Sequence, residues 1–243
     1  MAKAKKKTTK KTTAKKTTKA KGRTFVSFVL DETGSMGCVR DQTISGFNEY
    51  VQGLRNGGGK FSFTLTKFNE AKVEIVHHAV ELKDVKNLTV ETYVPANGTP
   101  LYDAIGRTIR SVEGKCGKDA VIIAIMTDGQ ENASKEFTRD AIFKLIDEKQ
   151  KAGWVFMFLG SDKDSYIGGI SLGISAKNTV VFNQANTVGV LRDVAHTHTS
   201  YANSSKCARS AMSCNMISDA HVEENKELYS RPDSKKTPTG GNA

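Results

Sequence analysis

The residues best placed to do chemistry stand together at Asp31-Glu32-Thr33-Gly34-Ser35. A carboxylate and two hydroxyls occupy alternate positions, a set of hard oxygen donors suited to Mg²⁺ or Mn²⁺. The segment follows an apolar run, Phe25, Val26, Phe28, Val29 and Leu30, that reads as a buried strand. Gly34 permits a tight turn, and Gly37 ends the loop before a helix. In an open α/β sheet, ligands bind beyond the carboxyl ends of the strands, so the motif stands where a site belongs. Two more oxygen-bearing pieces lie downstream. Thr99 occurs in Asn97-Gly98-Thr99-Pro100-Leu101, and Asp128 follows the apolar run that ends in Met126-Thr127.

These three pieces, in this order, resemble the metal-ion-dependent adhesion site of von Willebrand factor A domains. Asp31-x-Thr33-x-Ser35 is similar to the usual Asp-x-Ser-x-Ser, with a threonine that keeps the hydroxyl and adds a methyl group. The resemblance implies that Thr33 and Ser35 bind the ion through their hydroxyls. It implies that Thr99 binds directly or through water, and Asp31 and Asp128 mainly through bound waters. The ion would be Mg²⁺, or Mn²⁺ or Ca²⁺, with an open position filled by an Asp or Glu of a partner protein. Glu32 and Met36 are expected to flank the mouth and face that partner. The implied function is a non-enzymatic, metal-dependent protein-binding module.

The elements that must carry these residues are legible from periodicity. Thr24 to Asp31 reads as a strand, and Val39 to Asn56 as a helix with Val39, Thr43, Phe47, Val51 and Leu54 on one face. Phe61 to Phe68 and Lys72 to Leu82 read as antiparallel strands, because Asn69-Glu70-Ala71 is too short for a crossover. A loop region with one helical turn follows over 83–98. Thr99 is expected to cap a helix from Leu101 to Val112, with Pro100 in its first turn. Asp103, in that turn, favours the helix N-terminus. Ala120 to Met126 reads as a strand buried on both faces. A helix over Phe137–Lys151 follows, with Phe137, Ala141, Ile142, Leu145 and Ile146 inward. Trp154 to Leu159 reads as another strand, Tyr166 to Leu172 as a short helix, and Thr179 to Phe182 as an edge strand. A last long helix is expected over 186–206, with His198 as a packing or edge residue, and a short one over Asp219–Tyr229. Alternating strands and helices predict a three-layer, doubly wound α/β fold. Its sheet is mostly parallel and six-stranded, and the hairpin supplies one antiparallel edge strand. The order 3-2-1-4-5-6 is the one the resemblance implies, over about Thr24 to Ser205. The segment after Asn183, with Thr199-Ser200-Tyr201, further resembles bacterial and bacteriophage members of the group.

Charge divides the chain differently. Of 36 basic residues, eleven fall in residues 1–23, which hold no acid; the remaining 25 face 26 acidic residues, a balance of −1. Residues 1–22 alternate Lys, Thr and Ala and are expected to be a disordered basic tail. Lys5, Lys6, Lys7, Lys10, Lys11, Lys15 and Lys16 make it a candidate tether for DNA or RNA. A solubilising tail with no dedicated partner is the alternative, since it has no aromatic residue for base stacking. The domain is placed at 23–206, and 207–243 as an extension with a short helix and a disordered end. No run is apolar enough to span a bilayer, and no secretory h-region opens the chain. Cys38, Cys116, Cys207 and Cys214 form no Cys-x-x-Cys pair and read as reduced thiols of a cytoplasmic protein, with virion association an option for a phage product.

Other motifs carry less. Gly59-Lys60 is no phosphate loop, because Leu54 stands where the earlier glycine belongs and Phe61 follows the lysine. His77 and His78 are strand neighbours facing opposite ways and cannot chelate one ion. A Mg²⁺-dependent hydrolase or phosphoryl-transfer enzyme is a competing reading of Asp31. It lacks a His or Lys within the three motif pieces to serve as acid or phosphate binder.

Overall fold

The computed structural model describes residues 22–161 and 163–217. The Lys-rich tail, the helix expected over 219–229 and the C-terminal end lie outside the described residues. The described chain runs β1 (Thr24–Asp31), α1 (Arg40–Asn56), β2 (Phe61–Asn69), β3 (Lys72–Val80) and α2 (Leu101–Cys116). It continues through β4 (Ala120–Thr127), α3 (Arg139–Lys151), β5 (Val155–Gly160) and α4 (Lys163–Ser171). It then completes the sheet with β6 (Thr179–Val181), followed by α5 (Thr187–Asn203) and α6 (Lys206–Met212). The sheet order is β3-β2-β1-β4-β5-β6. Among the described strands only β2 and β3 pair antiparallel, as the two-residue turn Glu70-Ala71 between Asn69 and Lys72 requires.

The continuous apolar runs are explained by a sheet covered on both faces. Alternate residues of β1 and β4 feed two separate cores. Val26, Phe28 and Leu30, with Ile122, Ala124 and Met126, meet Phe47, Tyr50, Val51 and Leu54 of α1 and Leu191 and Val194 of α5. Phe25 and Val29, with Val121, Ile123 and Ile125, meet Ile105, Ile109 and Val112 of α2 and Ile142 and Ile146 of α3. Each such side chain contributes about 1.5–3 kcal/mol on burial, so the central strands are the rigid base on which the rim is built. α1 and α5 approach closely because Gly46 and Gly53 face α5. A Cβ on them would stand 2.7 Å from Leu191 Cδ1 and 2.9 Å from the Ala195 Cβ. His198, expected as a packing or edge residue, is buried and joins Tyr50 through a 2.7 Å hydrogen bond between Nδ1 and the phenol.

Several boundaries differ from expectation for local reasons. No side chain caps α2, so Thr99 does not serve as its cap; its hydroxyl turns to the rim instead. The third helix begins at Arg139, capped by the Thr138 hydroxyl, which accepts the Ala141 N–H. Phe137 precedes it and packs over Gly106, while Ala141 is exposed. The expected helix over 186–206 ends at Asn203, and Ser205 caps a new helix by accepting the Ala208 N–H. The boundary at 206 also moves. Met216 and Ile217 are buried in the α1/α5 core, so the packed unit extends at least to Ile217. Among the described residues no helix is long and apolar enough to cross a membrane.

Candidate metal centre

The sheet order creates the site. From β1 the chain moves outward to β2 and β3, then returns to place β4 on the other side of β1. A crevice at such a switch point, beyond the strands' carboxyl ends, is where open α/β sheets bind ligands. Register does the rest. Leu30 pairs with Met126 in parallel strands, so the next residues, Asp31 on one strand and Thr127-Asp128 on the other, emerge side by side.

Asp31 is fully buried and held on three sides. Its Oδ1 accepts the Thr33 N–H at 2.7 Å, and its Oδ2 accepts the Thr127 hydroxyl at 2.5 Å. Its carbonyl accepts the phenol of buried Tyr93 at 2.6 Å. The chain of oxygens then runs outward. Thr33 Oγ1 lies 3.2 Å from Ser35 Oγ, and Ser35 Oγ donates to Asp128 Oδ1 at 2.6 Å. Thr99 joins from the third loop. A Cβ on Gly129 would stand 3.1 Å from Thr99 Oγ1 and 3.4 Å from Ser35 Oγ, so both hydroxyls border the space that this glycine leaves open. Asp31, Thr33, Ser35, Thr99 and Asp128 are therefore gathered at one rim, and their donors are all oxygens. Among the described residues no group of three or more His, Cys, Asp or Glu side chains is placed to hold a metal. The centre is a hydroxyl-rich one with two carboxylates, a composition that suits a hard cation keeping several waters.

Glu32 and Met36 do not face a partner. Glu32 turns inward, and its Oε1 accepts Lys67 Nζ at 2.8 Å and the Val94 N–H at 2.8 Å. An unpaired carboxylate at this depth would be costly, and Lys67 satisfies it. Met36 lies on the short 3-10 turn Gly34–Val39 and fills the core beneath it. Both serve the loop's foundation. The Ala96 N–H donates to the Glu32 carbonyl, the Gly34 N–H to the Asn97 carbonyl, and Lys67 Nζ to the Thr92 carbonyl. Arg40 donates to the carbonyls of Val90 and Tyr93. The segment leading to Thr99 is thereby stitched to the Asp31 loop.

Other residues of the site carry no motif. Asn132 exchanges two bonds with Thr99: its Oδ1 accepts the Thr99 N–H at 2.7 Å, and its N–H donates to the Thr99 carbonyl at 3.1 Å. Glu131 accepts the N–H groups of Tyr102, Ala133 and Ser134. Asp103 accepts those of Lys135, Glu136 and Phe137, each at 2.9 Å. The β4–α3 loop is thus clamped to the start of α2. The only sequence signal for this was a polar run, Glu131-Asn132-Ala133-Ser134, directly after a buried strand.

The electrostatics follow from burial and like charge. Burial pushes the Asp31 carboxyl up to about 6, against the lowering effect of its Thr127 and Thr33 hydrogen bonds, and neighbouring Asp128 adds to the rise. The Tyr93 phenol is raised by burial and by Asp31, Glu32 and Asp128. The rim is a place where positive charge is favoured.

No protein-family model and no curated protein matches the sequence. Solved structures do resemble the fold. The vWF domain of the type V pili tip protein Mfa5 from Porphyromonas gingivalis aligns over 76% of this chain and 98% of its own, with 11% identity and a TM-score of 0.56. The pilus adhesin SpaC from Lactobacillus rhamnosus GG aligns over 75% of this chain and 31% of its own, with 12% identity and a TM-score of 0.61. A von Willebrand factor type A structure from Catenulispora acidiphila aligns over 73% and 43%, with 11% identity and a TM-score of 0.56. The chain thus spans less than half the length of the last two. With the six-stranded order and helices on both faces, these likenesses show that the chain has the von Willebrand factor A fold.

Proposed function

We propose that the chain is a metal-dependent protein-binding module whose rim captures an acidic side chain of a partner. The observation that carries this is the linked set of oxygens from Asp31 through Thr33 and Ser35 to Asp128, with the Thr99 hydroxyl beside it. The donor set fits Mg²⁺, or Mn²⁺ or Ca²⁺, and the two carboxylates supply compensating charge. A cation bound there would offer an open coordination position to a carboxylate. Thr33, Ser35 and Thr99 would hold it through hydroxyls, while Asp31 and Asp128 orient those hydroxyls and neutralise charge. Mfa5 is a pili tip protein and SpaC a pilus adhesin, which supports an adhesive rather than enzymatic reading. A hydrolase built on Asp31 would also need a cation for its substrate's phosphate, and the buried cation of this rim, Lys67, is already tied to Glu32 and Thr92. In the same reading, the Lys-rich N-terminal segment tethers the module to DNA or RNA.

The test has two stages. Thermal shift with Mg²⁺, Mn²⁺ and Ca²⁺ should show stabilisation of the wild type and none for Ser35→Ala, an exposed position that leaves the core intact. Capture of protein from native lysate should then require the ion and fail with Asp31→Ala. Capture that persists both in EDTA and in Asp31→Ala would remove the proposal.

A further inference from the structure

We infer that the rim reads a second feature of the same partner segment, a lysine or arginine whose side chain lies in the groove beside the oxygen cluster. The inference rests on the metal-dependent reading above and specifies the partner's chemistry. The groove has a volume of about 340 Å³ and runs between the first turn of α2, the β4–α3 loop and α4. It is continuous with the candidate centre through Gly129, which lines the groove on one side and borders the Thr99 and Ser35 hydroxyls on the other. Leu101, Phe158 and Leu172 form buried hydrocarbon walls, and Ile167 at the edge is 44% exposed. A volume of about twice that of a cavity able to hold benzene accommodates a long side chain.

Charge selects the occupant. Among the described residues, the charged ones lining the groove are Glu131 and Asp164. Glu131 is consumed internally by three backbone N–H groups and the Ser134 hydroxyl. Asp164 is exposed and forms no ion pair with any described cation. Arg139, the cation near Tyr102, is paired with Asp140. Apolar walls with one uncommitted carboxylate match an amphipathic side chain, a hydrocarbon stem carrying a cationic head. An acidic occupant would meet like charge, and a purely apolar one would gain nothing from the Asp164 carboxylate at the edge.

Fluorescence anisotropy with the full chain tests this. The probes are labelled ten-residue Gly/Ser peptides with one central Glu and, two to four positions away on either side, Arg, Leu, Glu or Gly. A further peptide carries Arg without Glu. In Mg²⁺ the Arg peptide of the correct spacing should bind about tenfold tighter than its Gly counterpart. Asp164→Asn should cut that preference by about two- to fivefold without altering the Gly peptide. Asp84→Asn, a distant surface change, should leave both alone. EDTA-sensitive binding with no preference for Arg, or with a preference for Leu, overturns the groove assignment and spares the metal reading. Binding of every Glu peptide that ignores EDTA removes the metal reading instead, and loss of the Arg-only peptide's binding in Asp164→Asn then upholds the groove alone. No binding of any peptide in Mg²⁺ counts against both.

Discussion

Lys67→Met is the most direct test of how the rim is held. Lys67 Nζ donates to Glu32 Oε1 at 2.8 Å and to the Thr92 carbonyl at 2.5 Å, and the two side chains are 8% and 4% exposed. Removing the ammonium strands a carboxylate inside the protein with the Val94 N–H as its remaining hydrogen-bond donor. Breaking one side of a buried pair costs about 3–5 kcal/mol; the surviving N–H places this case near 3 kcal/mol. For a domain of this size that lowers Tm by about 6–12 °C. Glu32→Gln/Lys67→Met removes the stranded charge and should recover at least half of the loss, because the charge rather than the lost contact sets most of the cost. Urea denaturation followed by circular dichroism at pH 7, on wild type, both single variants and the double, gives the coupling energy directly. Because Glu32 also receives the Val94 and Ala96 N–H groups, Lys67→Met should weaken Mg²⁺-induced stabilisation as well. A loss below about 1 kcal/mol in Lys67→Met, or a double variant as unstable as the sum of the singles, would refute the reasoning.

Three further outcomes are expected. Asp103→Ala orphans the backbone N–H groups of Lys135, Glu136 and Phe137, so it should cost about 2–4 kcal/mol and speed hydrogen exchange at those amides by mass spectrometry. Burial depresses the His198 imidazole to about 3, whereas the unfolded residue titrates at 6.5. The unfolded chain therefore binds more protons between those values, and stability falls by about 1.4 kcal/mol per unit as pH drops through that window. Asp31, raised to about 6, acts with the opposite sign up to that pH, so the difference between wild type and His198→Gln isolates the histidine; an unchanged pH slope in the variant contradicts its burial as a neutral ring. Deleting residues 1–22, which carry ten lysines, should abolish salt-sensitive DNA binding in a filter or anisotropy assay; retained affinity at low salt assigns the tail another purpose.

The strands were legible in the chain because they depend on short-range patterns, whereas the five candidate oxygen donors were picked out by the resemblance of three separated pieces to one motif. A run such as Val121 to Met126 can only be buried, and Asp31-x-Thr33-x-Ser35 puts three donors on one turn whatever surrounds it. The antiparallel hairpin was equally local, dictated by a connection too short for a crossover, which the structure reduces to Glu70-Ala71. Helix ends were less so: Thr99 had the residue type and position of a cap, but its pairing with Asn132, 33 positions away, draws it to the rim. Glu32 and Met36 show the same limit more sharply. Exposure at a loop is set by what packs beneath it, and the lysine that answers Glu32, Lys67, lies 35 positions away. By itself, the sequence determined which residues would be strand, which would turn, and which atoms offer hard oxygens. Only the tertiary structure decided that Asp31 and Asp128 stand side by side, that Glu32 is buried as an ion pair, and that Asp103 and Glu131 clamp the loop between. Those outcomes depend on strand order and register, which are fixed by the joint burial of two sheet faces and not by any neighbour in the chain.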